Sequence, residues 1–561
     1  MLLNRGFKPQ DIQHYLHTTE DDILDPLLID NMREGAEMLA KHIKANHKVL
    51  VQVDSDCDGY TSAAVLINYL NCVFPSWTQN NVSYRVHDEK VHGLFQDTVS
   101  GVHLVIAPDA SSNDYEVHAA LRERGIDVLV IDHHKADRIS ENACVINNQL
   151  CNYPTKSLSG VGMVFKFCSY LDELLGTDYA DNYRDLTALG IIADMMDTHD
   201  FETHHIIVTG LEDIQNPLLK MMLSRDKMHF ESGINYENVA FYIAPYINAV
   251  TRVGTEAEKF LLFEAMLDFR SLELIPSTKR GCKGQVETRA EQAARTCTNI
   301  KRRQTDKKDE GVEYVEKIIA VNELDKNKVI IICTDPNRLD KNLSGYVANQ
   351  LMSKYQRPVM ILRPSSNEEG EDTWEGSARG YDKSALKNFR GFLLGLPYTE
   401  YAEGHNNAFG VGVKAENLDK WHQVIEEALK DFEFIPRYDV DFIYQASNTS
   451  EDTVFNLANF EMTWGKGVDK PFIVIENVKV NSDDIAFMGA NKRTMKITLP
   501  NGIEMIKFNI KEEEKDMLEP GNGVLTLNVL GQCDRNEYNG RVTAQIKISD
   551  YEIMSRSKWN F

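Results

Sequence analysis

Several things are scarce or missing in this 561-residue chain. No apolar run approaches the roughly 18–20 residues that cross a bilayer, so no membrane-spanning helix is expected. The N-terminus, MLLNRGFKPQDIQHYL, lacks the basic-then-apolar pattern of a secretory signal. Nine cysteines are scattered without a CxxC pair, which argues against a disulfide framework and against a thiolate zinc site. No internal repeat or low-complexity stretch is found. These absences lead us to expect a soluble protein of the cytoplasm with no membrane partner. An excess of positive charge is missing as well. Lys and Arg number 61 against 85 Asp and Glu, a formal net charge of −24. Taken alone this argues against a polyanionic partner, although net charge says nothing of local patches.

What is present fits a folded protein of three or four domains. Hydrophobic residues make up 42% and charged ones 26%, close to globular averages. Residues 1–45 read as helical, with apolar Met32, Ala36, Leu39, Ala40 and Ile43 in step. From 46 to 275, short apolar strands alternate with helices: VLVQV, HLVIA and IDVLVI each run straight into acids or imidazoles. That alternation predicts a parallel α/β sheet, whose ligands collect at the carboxyl ends of the strands. Thr61 or Ser62 is placed to cap the helix after the first strand. The polar stretch Lys279–Lys308 predicts a bridging helix, within a connecting segment 276–313. A second α/β unit is expected over 314–430, with strands at KVIIICT and RPVMILRP and glycine-rich turns at GSARG and EGHNNAFGVGV. Short strands dominate 431–561 and suggest a small barrel or sandwich.

The chemistry concentrates in a few places. In DSDCDG, Asp54, Asp56 and Asp58 alternate at a strand tip, where the pleat sends all three to one side. Gly59 supplies the permissive backbone for a bend that fans them around one point. Carboxylates this dense repel one another unless a cation neutralises them. The pattern also opens a calcium loop, but the twelfth position is Val65 rather than a bidentate Glu. In VIDHHKAD, adjacent His133 and His134 point opposite ways if extended, so one of them joins Asp132 and the other makes an outer contact. Asp109 and Asp194 each follow an apolar run. Such an oxygen-and-imidazole set without thiolate favours Mn²⁺ or Mg²⁺, and several bridging carboxylates suggest two ions that acidify a water and hold a phosphate.

DSDCDG, APDASSND, VIDHHKAD and LGIIAD, in that order, resemble the four motifs of the DHH phosphoesterases. YINAVTRVG, GSARG with GHNNAFGVG, and WGKGVDKP with NEYNGRVTAQIKISDYE extend the resemblance to the RecJ-like branch, its DHHA1 domain and its OB-fold. The resemblance spans nearly the whole chain. It implies an α/β fold of two lobes, DHH and DHHA1, joined by a long helix and followed by a β-rich OB-fold. It implies 5′-to-3′ exonucleolytic hydrolysis of single-stranded DNA to 5′ mononucleotides, with duplex excluded, in recombination, repair or replication. A helicase or single-strand-binding protein is the kind of protein partner it brings to mind.

Carried over by motif, the resemblance makes Asp54, Asp56, Asp109, His133 and Asp194 metal ligands, with Asp132 and His134 in support. Arg252, Ser377 and Arg379 occupy the positions that hold a 5′ phosphate, and His405 would contact a backbone phosphate near the metals. Three departures mark a divergent branch of phage or plasmid type. His87, with Arg85 and Lys90 near it, stands where the family has an arginine; Gln52 stands where relatives place a His; Glu403 replaces a glycine. Local cations, among them Lys301, Arg302, Arg303, Lys492, Arg493, Lys496 and Lys507, reconcile nucleic acid with the acidic total. Phe508 and Tyr538 are candidates for base stacking, with core packing as the competing reading. Two rivals are a DHH phosphodiesterase for short oligoribonucleotides or cyclic dinucleotides, and a non-catalytic replication scaffold.

Overall fold

The computed structural model describes all residues except 88–90, 96–99, 231–232, 368–369, 490, 519–522, 539 and 559–561. Lys90 and the side chain of Tyr538 lie outside the described residues. The chain divides into two compact units, Met1–Ile300 with Val440–Phe561, and Lys301–Asp439.

In the first unit, β1 (Val49–Val53), β2 (Val82–Val86), β3 (Leu104–Pro108), β4 (Asp127–Asp132) and β5 (Cys144–Asn147) form one sheet. Their order is β2-β1-β3-β4-β5, and every pairing is parallel. Every residue of β1 and β3 is buried, which is why they read as apolar runs broken only by Gln52. The period of two sorts their side chains between two cores. Val49, Val51 and Val53 join the helices Cys57–Val73, Gly160–Leu175 and Arg184–Ala193 on one face. Leu50, Val105 and Val130 meet Leu121 on the other. The helix Met32–Lys44 sinks Met32, Ala36 and Leu39 into the larger core, as its periodicity predicts.

Two local expectations need correction. The helix after β1 starts at Cys57, and its cap is Asp56, whose carboxylate accepts from Gly59 N at 3.1 Å. Thr61 and Ser62 therefore lie buried inside it. Gly59 sits in that first turn for a different reason: a Cβ there would lie 2.5 Å from Asp54 Cβ. Close approach, not a permissive bend, demands the glycine.

The bridging helix also starts later than its polarity suggests. Residues 274–276 and 286–288 pair as a small antiparallel ribbon, β6 (Leu274–Pro276) with β7 (Val286–Thr288). The helix runs from Arg289 to Val321. Its start buries Ala290, Ala293, Ala294, Cys297 and Ile300 in the first unit, and its end buries Val312, Val315 and Ile319 in the second. It carries more apolar surface than composition implies, because small residues fill the contact.

The second unit holds β8 (Ile330–Cys333), β9 (Val359–Ser366), β10 (Asp372–Arg379), β11 (Tyr401–His405) and β12 (Ala408–Lys414) in the order β11-β12-β10-β9-β8. The first four residues of GSARG, Gly376 to Arg379, lie in strand β10 rather than a turn: at Gly376 a Cβ would meet Ile361 O at 1.9 Å.

The C-terminal strands form a seven-stranded sheet around one core. They are β13 (Val440–Gln445), β14 (Phe472–Asn481), β15 (Ile485–Met488), β16 (Thr494–Thr498), β17 (Glu504–Lys507), β18 (Gly523–Tyr538) and β19 (Arg541–Lys558), in the order β13-β14-β18-β19-β17-β16-β15.

Candidate metal centre

The carboxyl ends of β1, β3 and β4 and the end of the helix Arg184–Ala193 converge on one point in the first unit. His133 Nε2 lies 3.3 Å from Asp109 Oδ1, 3.6 Å from Asp194 Oδ2 and 3.9 Å from Asp58 Oδ2. Donor atoms of Asp58, His133 and Asp194 lie within 4.8 Å of one another, as do those of Asp109, Asp132, His133 and His134. A third group, Asp54, Asp56 and His92, meets the same limit.

Each side chain is aimed by its local backbone. Asp109 and Ser111 adopt left-handed φ values of 66° and 84°, a strain of about 1–3 kcal/mol each, held in part by Asp109 N donating to Ile131 O at 2.8 Å. Two glycines admit the acids. A Cβ on Gly160 would sit 2.2 Å from Asp109 Oδ1, and one on Gly190 would sit 2.5 Å from Asp58 Oδ1. Asp58 accepts from Ser159 Oγ, Gly160 N and Val161 N at the start of the next helix.

Asp132 is fully buried, and its oxygens are taken by the loop it organises. Oδ1 accepts from His133 N at 2.7 Å, His134 N at 3.2 Å and His134 Nδ1 at 2.8 Å, while Oδ2 accepts from Ser112 N at 3.0 Å. These bonds turn the chain directly after β4. His133 and His134 consequently do not diverge as extended neighbours would; their ring centroids are 4.4 Å apart.

The electrostatics fit a cation. Burial, then Asp58, pushes the Asp109 carboxyl well above the usual range, and the same two causes raise Asp194 to about 8. Burial followed by Asp58 and Asp54 raises Asp56. His133 is lowered, chiefly by burial, which keeps its imidazole neutral. Its hydrogen bond to Asp132 lifts His134 to about 9. Asp109 Oδ1 and His133 Nε2 are buried without a hydrogen-bond partner among the described residues. Crowded carboxylates, a neutral imidazole and two orphaned buried atoms together form a donor set that a divalent oxygen-and-nitrogen-binding ion would satisfy.

Besides Asp132 and His134, which were given supporting roles, two residues of these groups were not singled out as ligands from the sequence. Asp58 carried a signal, the third acid of DSDCDG. His92 carried none beyond its neighbour Gly93. A third contributor, Asn248 of YINAVTRVG, accepts from Cys57 N at 3.0 Å and ties the helix Ala244–Val253, which carries Arg252, to the acid-bearing turn.

His87 is 2% exposed, with Nε2 4.0 Å from Asp54 Oδ1, and burial lowers its pKa. It faces the acids, and burial disfavours its protonated form. Ser377, Arg379 and His405 lie in the second unit. Arg379 and His405 both pair with Ala408 from opposite sides of β12, and Ser377 pairs with Gly410. The three side chains therefore share one face, with only a methyl or a hydrogen between them. Ser377 Oγ lies 2.9 Å from Ser344 Oγ. Phe508, the residue after β17, is exposed.

The DHH family, N-terminal domain, matches residues 48–191, and the RecJ OB domain matches residues 440–550. The SPbeta prophage-derived protein of Bacillus subtilis named single-strand DNA-specific exonuclease YorK is 36% identical over 561 residues, covering 99% of this chain and 95% of its own. The chain belongs to the RecJ family of DHH proteins. Bacillus subtilis RecJ, named a single-stranded-DNA-specific exonuclease, is 26% identical over 100% of this chain and 68% of its own. The crystal structure of RecJ from Thermus thermophilus in complex with Mn²⁺ shares the fold, with a TM-score of 0.71 at 19% identity over 98% of this chain and 74% of that one. The RecJ fold accounts for the α/β core, the second mixed sheet and the C-terminal β domain described above.

Proposed function

We propose that this protein is a metal-dependent exonuclease that digests single-stranded DNA from its 5′ end to 5′ mononucleotides. The observation that carries this reading is the meeting of Asp58, Asp109 and Asp194 around His133 Nε2, with Asp54 and Asp56 alongside. The names of its relatives support the substrate.

Asp54, Asp56, Asp109, His133 and Asp194, joined by Asp58, are the residues that would hold two Mn²⁺ or Mg²⁺ ions. When bound, the pair supplies Lewis acidity, acidifying water and offsetting charge on a scissile phosphodiester. Asp132 positions the two histidines through three accepted bonds, and a fourth, from Ser112 N, holds its own carboxylate. His134, half-exposed and protonated at neutral pH, donates to a phosphate oxygen or to the departing one. Each unit offers its own phosphate contacts: Arg252 a two-pronged guanidinium on the first, Arg379 another and Ser377 a hydroxyl donor on the second. His405 steadies a backbone phosphate.

The test is a time course on single strands labelled at the 5′ or the 3′ end, with Mn²⁺ and with EDTA, beside a dinucleotide. Early release of the 5′ label as mononucleotide, abolished by EDTA, is expected. Early 3′ release, or undiminished activity in EDTA, would overturn the reading; preferential cleavage of the dinucleotide would move it to small-substrate phosphodiesterases.

A further inference from the structure

Asp54 has two imidazoles against it that the family motifs do not supply. The parallel pairing of β1 with β2 explains the first: Val53 is in register with Val86, so the residues that follow them, Asp54 and His87, leave the sheet side by side. Gln52 reinforces this, its Nε2 donating to Arg85 O at 3.0 Å, and Lys259 Nζ donates to His87 O at 3.1 Å. The second imidazole arrives on the following loop. Gly93 N donates to Asp54 Oδ1 at 3.2 Å, and His92 Nδ1 comes within 2.5 Å of Asp54 Oδ2. Gly93 has a φ of 88°, and a Cβ there would strike Asp114 Oδ2 at 2.4 Å, so only glycine fits at this close approach.

The two rings differ in burial. The His92 side chain is half-exposed. His87 is buried, and neither of its ring nitrogens makes a well-formed hydrogen bond among the described residues, the Gly93 backbone being a near but poorly aligned polar neighbour. An unsatisfied buried polar group costs about 1–3 kcal/mol, a cost a bound ligand would relieve. The 4.0 Å between His87 Nε2 and Asp54 Oδ1 is too long for a hydrogen bond. It admits an ion, since bonds of about 2.0–2.2 Å from a zinc-sized cation to nitrogen and to oxygen would span it.

We propose that His87 and His92 are two further ligands of the ion held by Asp54 and Asp56, and that they tilt this site towards nitrogen-preferring divalent metals. Imidazole suits late first-row ions, whereas Mg²⁺ prefers oxygen and keeps its waters. The inference rests on the metal-dependent reading above and adds which residues set the choice of metal.

Equilibrium binding of Mn²⁺, Co²⁺ and Mg²⁺ to the full chain tests it, with nitrogen coupling in the pulsed electron spin resonance of bound Mn²⁺ as a second readout. In His87→Gln/His92→Ala, Mn²⁺ and Co²⁺ are expected to bind one of two sites at least tenfold more weakly. Mg²⁺ affinity should move less than threefold, and one class of nitrogen coupling should vanish while that from His133 stays. His92→Ala alone, at a half-exposed position, carries the same test if the buried substitution prevents folding; a loss of at least threefold in Co²⁺ binding is expected. Unchanged affinities and couplings would overturn the inference and leave the proposed function standing. Failure of the wild-type chain to bind any divalent ion would instead sink the proposed function.

Discussion

At His133 Nε2 three carboxylates stand within 3.9 Å, and the arrangement trades stability for readiness to take a cation. Asp194 shows the sign. Its folded pKa, about 8, lies above the ordinary carboxylate value, so the folded state holds the proton more tightly. Stability is then favoured at low pH and lost as pH rises towards 8. In EDTA, Asp194→Asn is expected to melt above the wild type, by a margin that widens between pH 4 and 8 and closes when Mn²⁺ is added. Its exonuclease rate should fall by about 10²–10³-fold, the scale of removing one electrostatic anchor. Thermal melts across pH and a labelled-strand assay check the two halves. Gly190→Ala is expected to cost about 1–3 kcal/mol by overpacking, because the new methyl meets Asp58 Oδ1, Thr61 Oγ1 and Val161 Cγ1; urea unfolding measures it. Asp54, Asp109, His133 and Asp194 were legible in the sequence because each follows an apolar run. Asp58 was grouped with Asp54 and Asp56 on a strand pleat; it reaches the same acids by another route, from the first turn of the helix that starts at Cys57.

β1, β3 and β4 were readable because burial on both faces leaves mostly apolar letters, whereas the edge strands β2, with Ser83 and Arg85, and β5, only four residues long, were not. The expected bridging helix was misplaced because its polarity was averaged over residues whose small side chains turn out to be contacts. Ile319, at the far end of that helix, is fully buried in the second unit. Ile319→Ala is expected to cost about 2–5 kcal/mol. Calorimetry should show the loss in one transition while a second, from the first unit, keeps its temperature. The face shared by Ser377, Arg379 and His405 depends on strand register. Arg379 pairs with Ala408 and Ser377 with Gly410, partners far apart along the chain that are invisible in the letters until the hairpin is drawn.

For the chain as a whole, a net charge of −24 and a polyanionic substrate stay compatible only if binding is local. Affinity for a single strand is therefore expected to fall with log salt at about −0.7 per phosphate neutralised. Arg252→Ala and Arg379→Ala should each flatten that slope by about 0.7. Anisotropy titrations between 50 and 200 mM salt, roughly the range over which such effects are large, decide it. A flat response would discard the local-groove explanation of the acidic total.

The extreme ends of the first unit are fastened to each other. Arg5 forks onto Asp441, Tyr15 OH donates to Thr198 O at 3.0 Å and to Thr463 O at 3.3 Å, and Leu2, Phe7 and Tyr15 share a cluster with Trp464 and Val468. A nascent chain thus emerges with its opening helix still waiting for a clasp made more than 400 residues later. Shortening the protein ahead of the C-terminal strands would strip the catalytic half of its own first residues' anchorage, so a trimmed nuclease would be frayed at a place far from the cut.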